Sequence, residues 1–155
     1  MPDFAPDRVE DLVCRLISSG AARPETIRGC SAEEIQAVEV IYRVQLPRAY
    51  RLWLATMGQS AGRASEANTG LALFHPTPVF LTHLVGREPG HEVLPDMAFV
   101  FADDQCFQCW FFLADGHSDN PEVLYWEIGS AAYEATDQSL WAFLEAQVLS
   151  LAECT

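Results

Sequence analysis

The sequence predicts an α+β fold: a single domain over residues 1–155 in which helices pack on a mainly antiparallel β-sheet and a helix closes the chain. Three observations carry this reading. Through Met57 the apolar residues recur at helical spacing. From Met97 they change to short aromatic and β-branched runs separated by polar turns. After Ser139 helical spacing returns. A chain of 155 residues can bury a full core without disulfides or metal.

Residues 1–28 hold a first helix and a connector. Val9, Leu12, Val13, Leu16 and Ile17 mark one face of the helix and Gly20 its stop, with Pro24 in the connector that follows. Ser31 is a good N-cap and Glu34 stands three residues on, so a second helix starts at Ala32 behind a capping box. Its expected apolar stripe is Ile35, Val38, Ile41 and Tyr42. Leu46-Pro47 breaks that run, and Pro47 opens a third helix because proline lacks the N–H that a first turn leaves unpaired. Tyr50, Trp53, Leu54 and Met57 form its buried face, and Gly58 stands where a left-handed stop is expected. Residues 58–70 are small, polar and glycine-bearing, and read as an exposed and mobile loop. A short strand over residues 71–74, a short helix opening at Thr77-Pro78 and a loop over residues 87–95 follow.

Residues 97–102, 107–113 and 123–128 then read as three antiparallel strands in a meander. Alternation puts Phe107, Cys109, Phe111 and Leu113 on one face of the middle strand and Trp110 and Phe112 on the other. Both faces are therefore apolar, and the one that helices do not cover needs other parts of the chain or a partner. Ser139 caps the last helix, whose sheet-facing residues are Leu140, Phe143, Leu144, Gln147, Val148 and Leu151.

Charge narrows the function. All nine basic residues are arginines, and none follows Arg87. Residues 1–87 carry nine acids against nine arginines, whereas residues 88–155 carry thirteen acids and no base, so the whole net charge of −13 belongs to the second part. Such a surface repels nucleic acid and anionic membranes and speeds encounter with cationic partners, although acidity also serves plain solubility. No apolar run approaches the ~20 residues of a membrane span, and the first residues lack the basic and apolar regions of a secretory signal. A cytoplasmic protein is expected, with its five cysteines (14, 30, 106, 109 and 154) as reduced thiols.

Few residues suggest chemistry. Cys106 and Cys109 have the spacing of half a zinc site, but a second pair is missing and residues three apart on a strand point to opposite faces. Buried structural cysteines are the favoured reading. His75, His83, His91 and His117 have no metal-ligand spacing, and the chain has neither a phosphate loop nor a nucleophile elbow. No cofactor is expected. The adjacent acids Glu33-Glu34 and Asp103-Asp104 suit a helix's first turn and a hairpin turn, respectively. An alternative from another class is a metal-dependent enzyme built on Cys106, Cys109 and His117.

The helix pair carries a resemblance. Ile35, Glu39, Leu46, Pro47, Tyr50, Trp53 and Leu54 stand, at matching spacings, where the SUKH superfamily has its isoleucine, glutamate, leucine-proline, tyrosine and hydrophobic pair. Phe101-Ala102-Asp103, the aromatic run to Phe112, Asp115 and residues 121–126 resemble its strand meander, and residues 139–144 its closing helix. The chain departs from the family at Gly58-Gln59, where Asn-Gly is usual, and near Cys106, where a glycine is missing. The resemblance implies a non-enzymatic protein that neutralises a cognate secreted bacterial toxin by direct contact. A regulatory scaffold, as some eukaryotic relatives form, is the alternative, and Glu39 is expected to be structural. Together with the charge distribution this puts the partner-binding site on an acidic rim of Asp103, Asp104, Asp115, Asp119 and Glu122 around the meander's turns. The expected partner is a toxin with a basic surface, a nuclease being one candidate; direct binding to nucleic acid or membrane is not expected.

Overall fold

The computed structural model describes residues 4–67, 71–74, 94–105, 107–127 and 129–154. The expected helix at Thr77-Pro78, most of the expected loop 87–95, Cys106, His75, His83 and His91 lie outside the described residues. The fold is α+β. Helices α1 (Asp7–Ser18), α2 (Ala32–Tyr42), α3 (Arg48–Met57), α4 (Arg63–Glu66) and α5 (Leu140–Glu153) accompany two antiparallel sheets. The smaller pairs β1 (Ile27–Arg28) with β2 (Ser60–Ala61). The larger has β3 (Leu71–Ala72), β4 (Ala98–Asp104), β5 (Gln108–Leu113), β6 (Glu122–Glu127) and β7 (Glu134–Ser139), in that spatial order.

The helix pair forms as its signals dictate. Ser31 Oγ accepts from the Glu34 N–H at 3.1 Å, and Glu34 Oε2 accepts from the Ser31 N–H at 2.8 Å, closing the capping box. Pro47 sits one position earlier than expected, as the N-cap of α3. Gly58 is not left-handed: its φ is −60°, and the left-handed stop falls at Arg43 (φ 53°), which ends α2. The stripe of α2 also needs correction, because Ile35 and Val38 are buried but Ile41 is 69% exposed, as is Val40. Six residues advance a helix by 240°, so Ile41 faces away from Ile35. Tyr42 keeps the inner side, edge-on to Phe99 at 6.1 Å between ring centroids.

An aromatic cluster around Tyr50 joins the helices to the sheet. The Tyr50 ring lies 5.8 Å from Trp53, 5.8 Å from Phe99, 6.0 Å from Phe101 and 5.4 Å from Phe112. Phe143 of α5 meets Phe101 edge-on at 5.5 Å. Ring pairs of this kind add ~0.5–1.5 kcal/mol each beyond their burial. Trp141, fully buried against Phe4, widens the inner face of α5 beyond the residues that periodicity marks.

Residues 58–67 are not the exposed loop their composition suggests. Ser60, Ala61, Gly62 and Ala64 are buried, and the segment folds into β2 and α4. Small side chains permit this close packing: Ser60 Oγ donates to the Thr26 carbonyl at 2.8 Å, Ser65 Oγ accepts from the Ala61 N–H at 3.2 Å, and a Cβ on Gly62 would come within 2.5 Å of the Ala21 carbonyl oxygen. Gly29 is similar, since a Cβ there would fall 1.9 Å from the Ala55 carbonyl oxygen. Glycine thus lets the chain lie against the backbone of α3, where the Cys30 N–H donates to the Leu54 carbonyl at 2.7 Å.

Both faces of the sheet are apolar, as alternation predicts. Phe112 and Trp110 face the helices, whereas Val100, Cys109, Phe111 and Trp126 form a second cluster on the opposite face. The chain itself covers part of that face: Tyr133 packs edge-on against Phe111 at 5.4 Å, and Trp126 Nε1 donates to the Ser130 carbonyl at 3.1 Å. Phe107 lies outside β5 and is 62% exposed. The meander gains a fourth strand, β7, that periodicity does not reveal, because EATDQS is almost wholly polar.

Candidate protein-binding surface

The sheet positions the expected acids, and it does so at two ends. Asp103 and Asp104 end β4 at the β4–β5 hairpin, whereas Asp115, Asp119 and Glu122 lie around the β5–β6 connection. The six residues of β5 separate the two groups by ~17 Å. They do not make one rim. Asp104 is half-buried and Asp115, Asp119 and Glu122 are exposed, but Asp103 is only 3% exposed. A one-residue bulge between Val100 and Ala102 sets the register that places Asp103 directly opposite Cys109, on the face away from the helices. Burial, and next the Asp103 charge, pushes the Cys109 thiol up to about 12. That thiol stays protonated at neutral pH, which makes it a poor nucleophile and metal ligand.

The β5–β6 connection has a structural duty besides its charge. The Asp119 carbonyl accepts from the Ala49 N–H at 2.9 Å, Asn120 Oδ1 accepts from the Trp141 N–H at 2.8 Å, and the Pro121 carbonyl accepts from the Leu140 N–H at 2.7 Å. These bonds satisfy orphan amides at the first turns of α3 and α5. Asp115 accepts from the His117 N–H at 3.0 Å through Oδ1, shaping the turn. His117 sits here, beyond the end of β5 opposite to Cys109, so the two do not converge on one site. Among the described residues no group of three or more His, Cys, Asp or Glu side chains is arranged to hold a metal.

Glu39 acts within the fold. Its Oε2 accepts from the Leu46 N–H at 2.9 Å, across the turn between α2 and α3, and so fixes the Leu46-Pro47 corner that aims Tyr50 and Trp53 at the sheet.

Electrostatically the strand layer is one-sided. The salt bridges among the described residues join Arg8 and Arg15 of α1 to Glu145 of α5, at 3.9 and 2.9 Å. The exposed carboxylates of the strands and their turns take part in neither. Sequence reasoning missed one group of them, Glu127 and Glu134 beside Tyr125, because Glu134 belongs to the unrecognised strand β7. Burial first, then the Glu127 and Glu134 charges, raises the Tyr125 hydroxyl. No helix among the described residues is long and apolar enough to cross a membrane.

A family model described as the SMI1 / KNR4 family (SUKH-1) matches residues 29–146. The match runs from the close approach of Gly29 to α3, through the Glu39-braced corner and the meander, into α5. Among curated proteins no match was found.

Proposed function

Because the chain belongs to the SMI1 / KNR4 (SUKH-1) family, we propose that it is an immunity protein, which binds and neutralises a cognate secreted bacterial toxin by direct contact in the cytoplasm. Family membership is the observation that carries the reading. The charge distribution supports it: thirteen acids and no base after Arg87 make a surface suited to fast capture of a basic protein. A nuclease fits that description, since its substrate cleft must be cationic to hold phosphates. The protein works by occupying or occluding the toxin, with no chemistry of its own.

Asp104, Asp115, Asp119 and Glu122 are the exposed or half-exposed acids of the contact surface. Asp103 contributes from beneath, through the β4–β5 hairpin that it anchors opposite Cys109. The test is kinetic. Asp104→Asn, combined with Asp115→Asn and Asp119→Asn, should slow association with the toxin encoded beside this gene and flatten its salt dependence, while the melting curve stays unchanged. Wild-type association rates at both low and high salt would assign the acids to solubility.

A further inference from the structure

Among the described residues, those on the helix-side face of the large sheet are partly exposed at its β4–β5 hairpin end, and the register aligns their side chains there in two rows. Asp104 pairs with Gln108 and Gln108 with Glu127, forming the outer row. Trp110 pairs with Tyr125 and Tyr125 with Glu134, forming the next. Directly paired residues share a face, and Trp110 and Val123 of the same two strands belong to the helix-side core, so all of these residues point to the helix side. Trp110 and Tyr125 are half-buried, their rings 5.5 Å apart, and Phe143 of α5 steadies Trp110 from one side at 5.8 Å. Glu127 and Glu134 are exposed, and among the described residues neither has a salt-bridge partner. Glu134 stands directly across from Tyr125, one strand spacing of ~4.8 Å away, and Glu127 stands two residues along β6 on the same face, ~7 Å away, so that both charges act on the Tyr125 hydroxyl.

We propose that this patch, Trp110 and Tyr125 framed by Asp104, Glu127 and Glu134, is the docking site for an arginine-bearing segment of the protein partner. Charge complementarity selects a cation, and the rings select arginine over lysine. A guanidinium is flat and weakly hydrated; it stacks on an aromatic face while its N–H fork meets a carboxylate, whereas an ammonium is a compact, strongly hydrated point charge. Half-exposed Trp and Tyr surrounded by charge also match the anatomy of an interface anchor and its rim. Val40 and Ile41 on α2 and Phe107 beside the β4–β5 hairpin are also exposed, but the two aliphatic side chains offer no ring on which a cation could stack. The identity of the partner as a toxin rests on the reading above, but the chemistry of the patch can be tested without it.

The probe is a short acetylated, amidated peptide containing two arginines, titrated into the full isotope-labelled chain, with lysine and citrulline versions alongside. Citrulline keeps the shape of arginine and removes its charge. Trp53, Trp141 and Trp126 are buried, so the indole N–H signal of half-exposed Trp110 reports on the patch. The arginine peptide should move the Trp110 indole and the amides of Tyr125 and Glu134, the lysine peptide should bind severalfold more weakly, and the citrulline peptide should leave the spectrum unchanged. Glu127→Gln with Glu134→Gln should weaken the arginine peptide about five- to tenfold, as expected for two rim ion pairs. Glu25→Gln with Glu66→Gln, which removes the same charge from exposed sites elsewhere, should leave it unaltered. Tyr125→Leu should narrow the preference for arginine over lysine. A still Trp110 signal, equal binding of citrulline, or equal weakening by the Glu25 and Glu66 pair would overturn the proposal. Such a result leaves toxin neutralisation standing through another face, whereas failure to neutralise any toxin leaves the peptide result standing.

Discussion

Trp53 tests how the helix pair is held. It is fully buried, stacks on Tyr50 at 5.8 Å and an interplanar angle of 12°, and meets Phe74 at 5.5 Å. Its Nε1 has no hydrogen-bond partner among the described residues. Removing the ring takes ~200 Å² of apolar contact from the core, which at ~25 cal/mol per Å² is ~5 kcal/mol, near the ~3–5 kcal/mol typical of large aromatic-to-alanine changes. Trp53→Phe is different. It loses less area and also removes an unpaired buried N–H whose desolvation costs ~1–3 kcal/mol, so the net change should stay below ~1.5 kcal/mol. A urea melt followed by far-UV circular dichroism measures both, independently of the lost tryptophan. With a slope of ~2 kcal/mol per M, Trp53→Ala should lower the midpoint by ~2 M and Trp53→Phe by less than ~0.75 M. Equal damage from the two variants would mean that the indole N–H is bonded and that the packing account of Trp53 is wrong.

The remaining predictions concern the corner, the close approach and the second face of the sheet. Glu39→Ala should cost ~1–3 kcal/mol by leaving the Leu46 N–H unpaired, and Glu39→Gln, which keeps an acceptor, should cost clearly less; equal losses in a denaturant melt would point to the Glu39 charge instead. Gly29→Ala should lower the melting temperature by ~6–12 °C, because the new Cβ would meet the Ala55 carbonyl oxygen, and an unchanged melt would place Gly29 away from α3. At pH 8 a thiol reagent should modify exposed Cys14 and Cys154 quickly and buried Cys109 only on unfolding. The Cys109 thiol, raised from 9.0 to about 12 in the folded protein, contributes stability that is intact below pH 9 and is lost as pH rises toward 12. Cys109→Val should therefore flatten the alkaline limb of stability over that window, and an identical limb in the variant would show Cys109 to be ionised or accessible.

What the sequence revealed depended on whether a residue's surroundings are local. The capping box at Ser31, the break at Leu46-Pro47 and the buried face of α3 were readable because each is set by neighbours within a turn or two. The facing of Ile41 was not, because α2 is apolar on both sides and only the sheet, through Phe99 and Tyr42, decides which side is buried. Segment 58–67 has a loop's composition, but here small residues serve close packing against residues 21–26, which lie distant in sequence. Strand β7 was hidden for a related reason: as an exposed edge strand it needs no apolar alternation, and Asp137, at φ 59°, kinks it. Among the candidate acids the residue types were legible and their grouping was not. Turn composition put Asp103 beside Asp104 on a rim, whereas the bulge in β4 sends Asp103 inward against Cys109. The pairing of Tyr125 with Glu134 could be found only from the register.

Co-expression tests the central claim most directly. The product of the gene beside this one, the toxic domain under the proposed reading, is produced in a heterologous host with and without the chain, and survival and complex formation are scored together. The account predicts that the wild-type chain restores growth and co-purifies with the toxic domain in fixed stoichiometry, and that Trp53→Ala, by destabilising the chain, does both less well. Continued killing in the presence of abundant, folded wild-type protein, with no complex recovered, would contradict it.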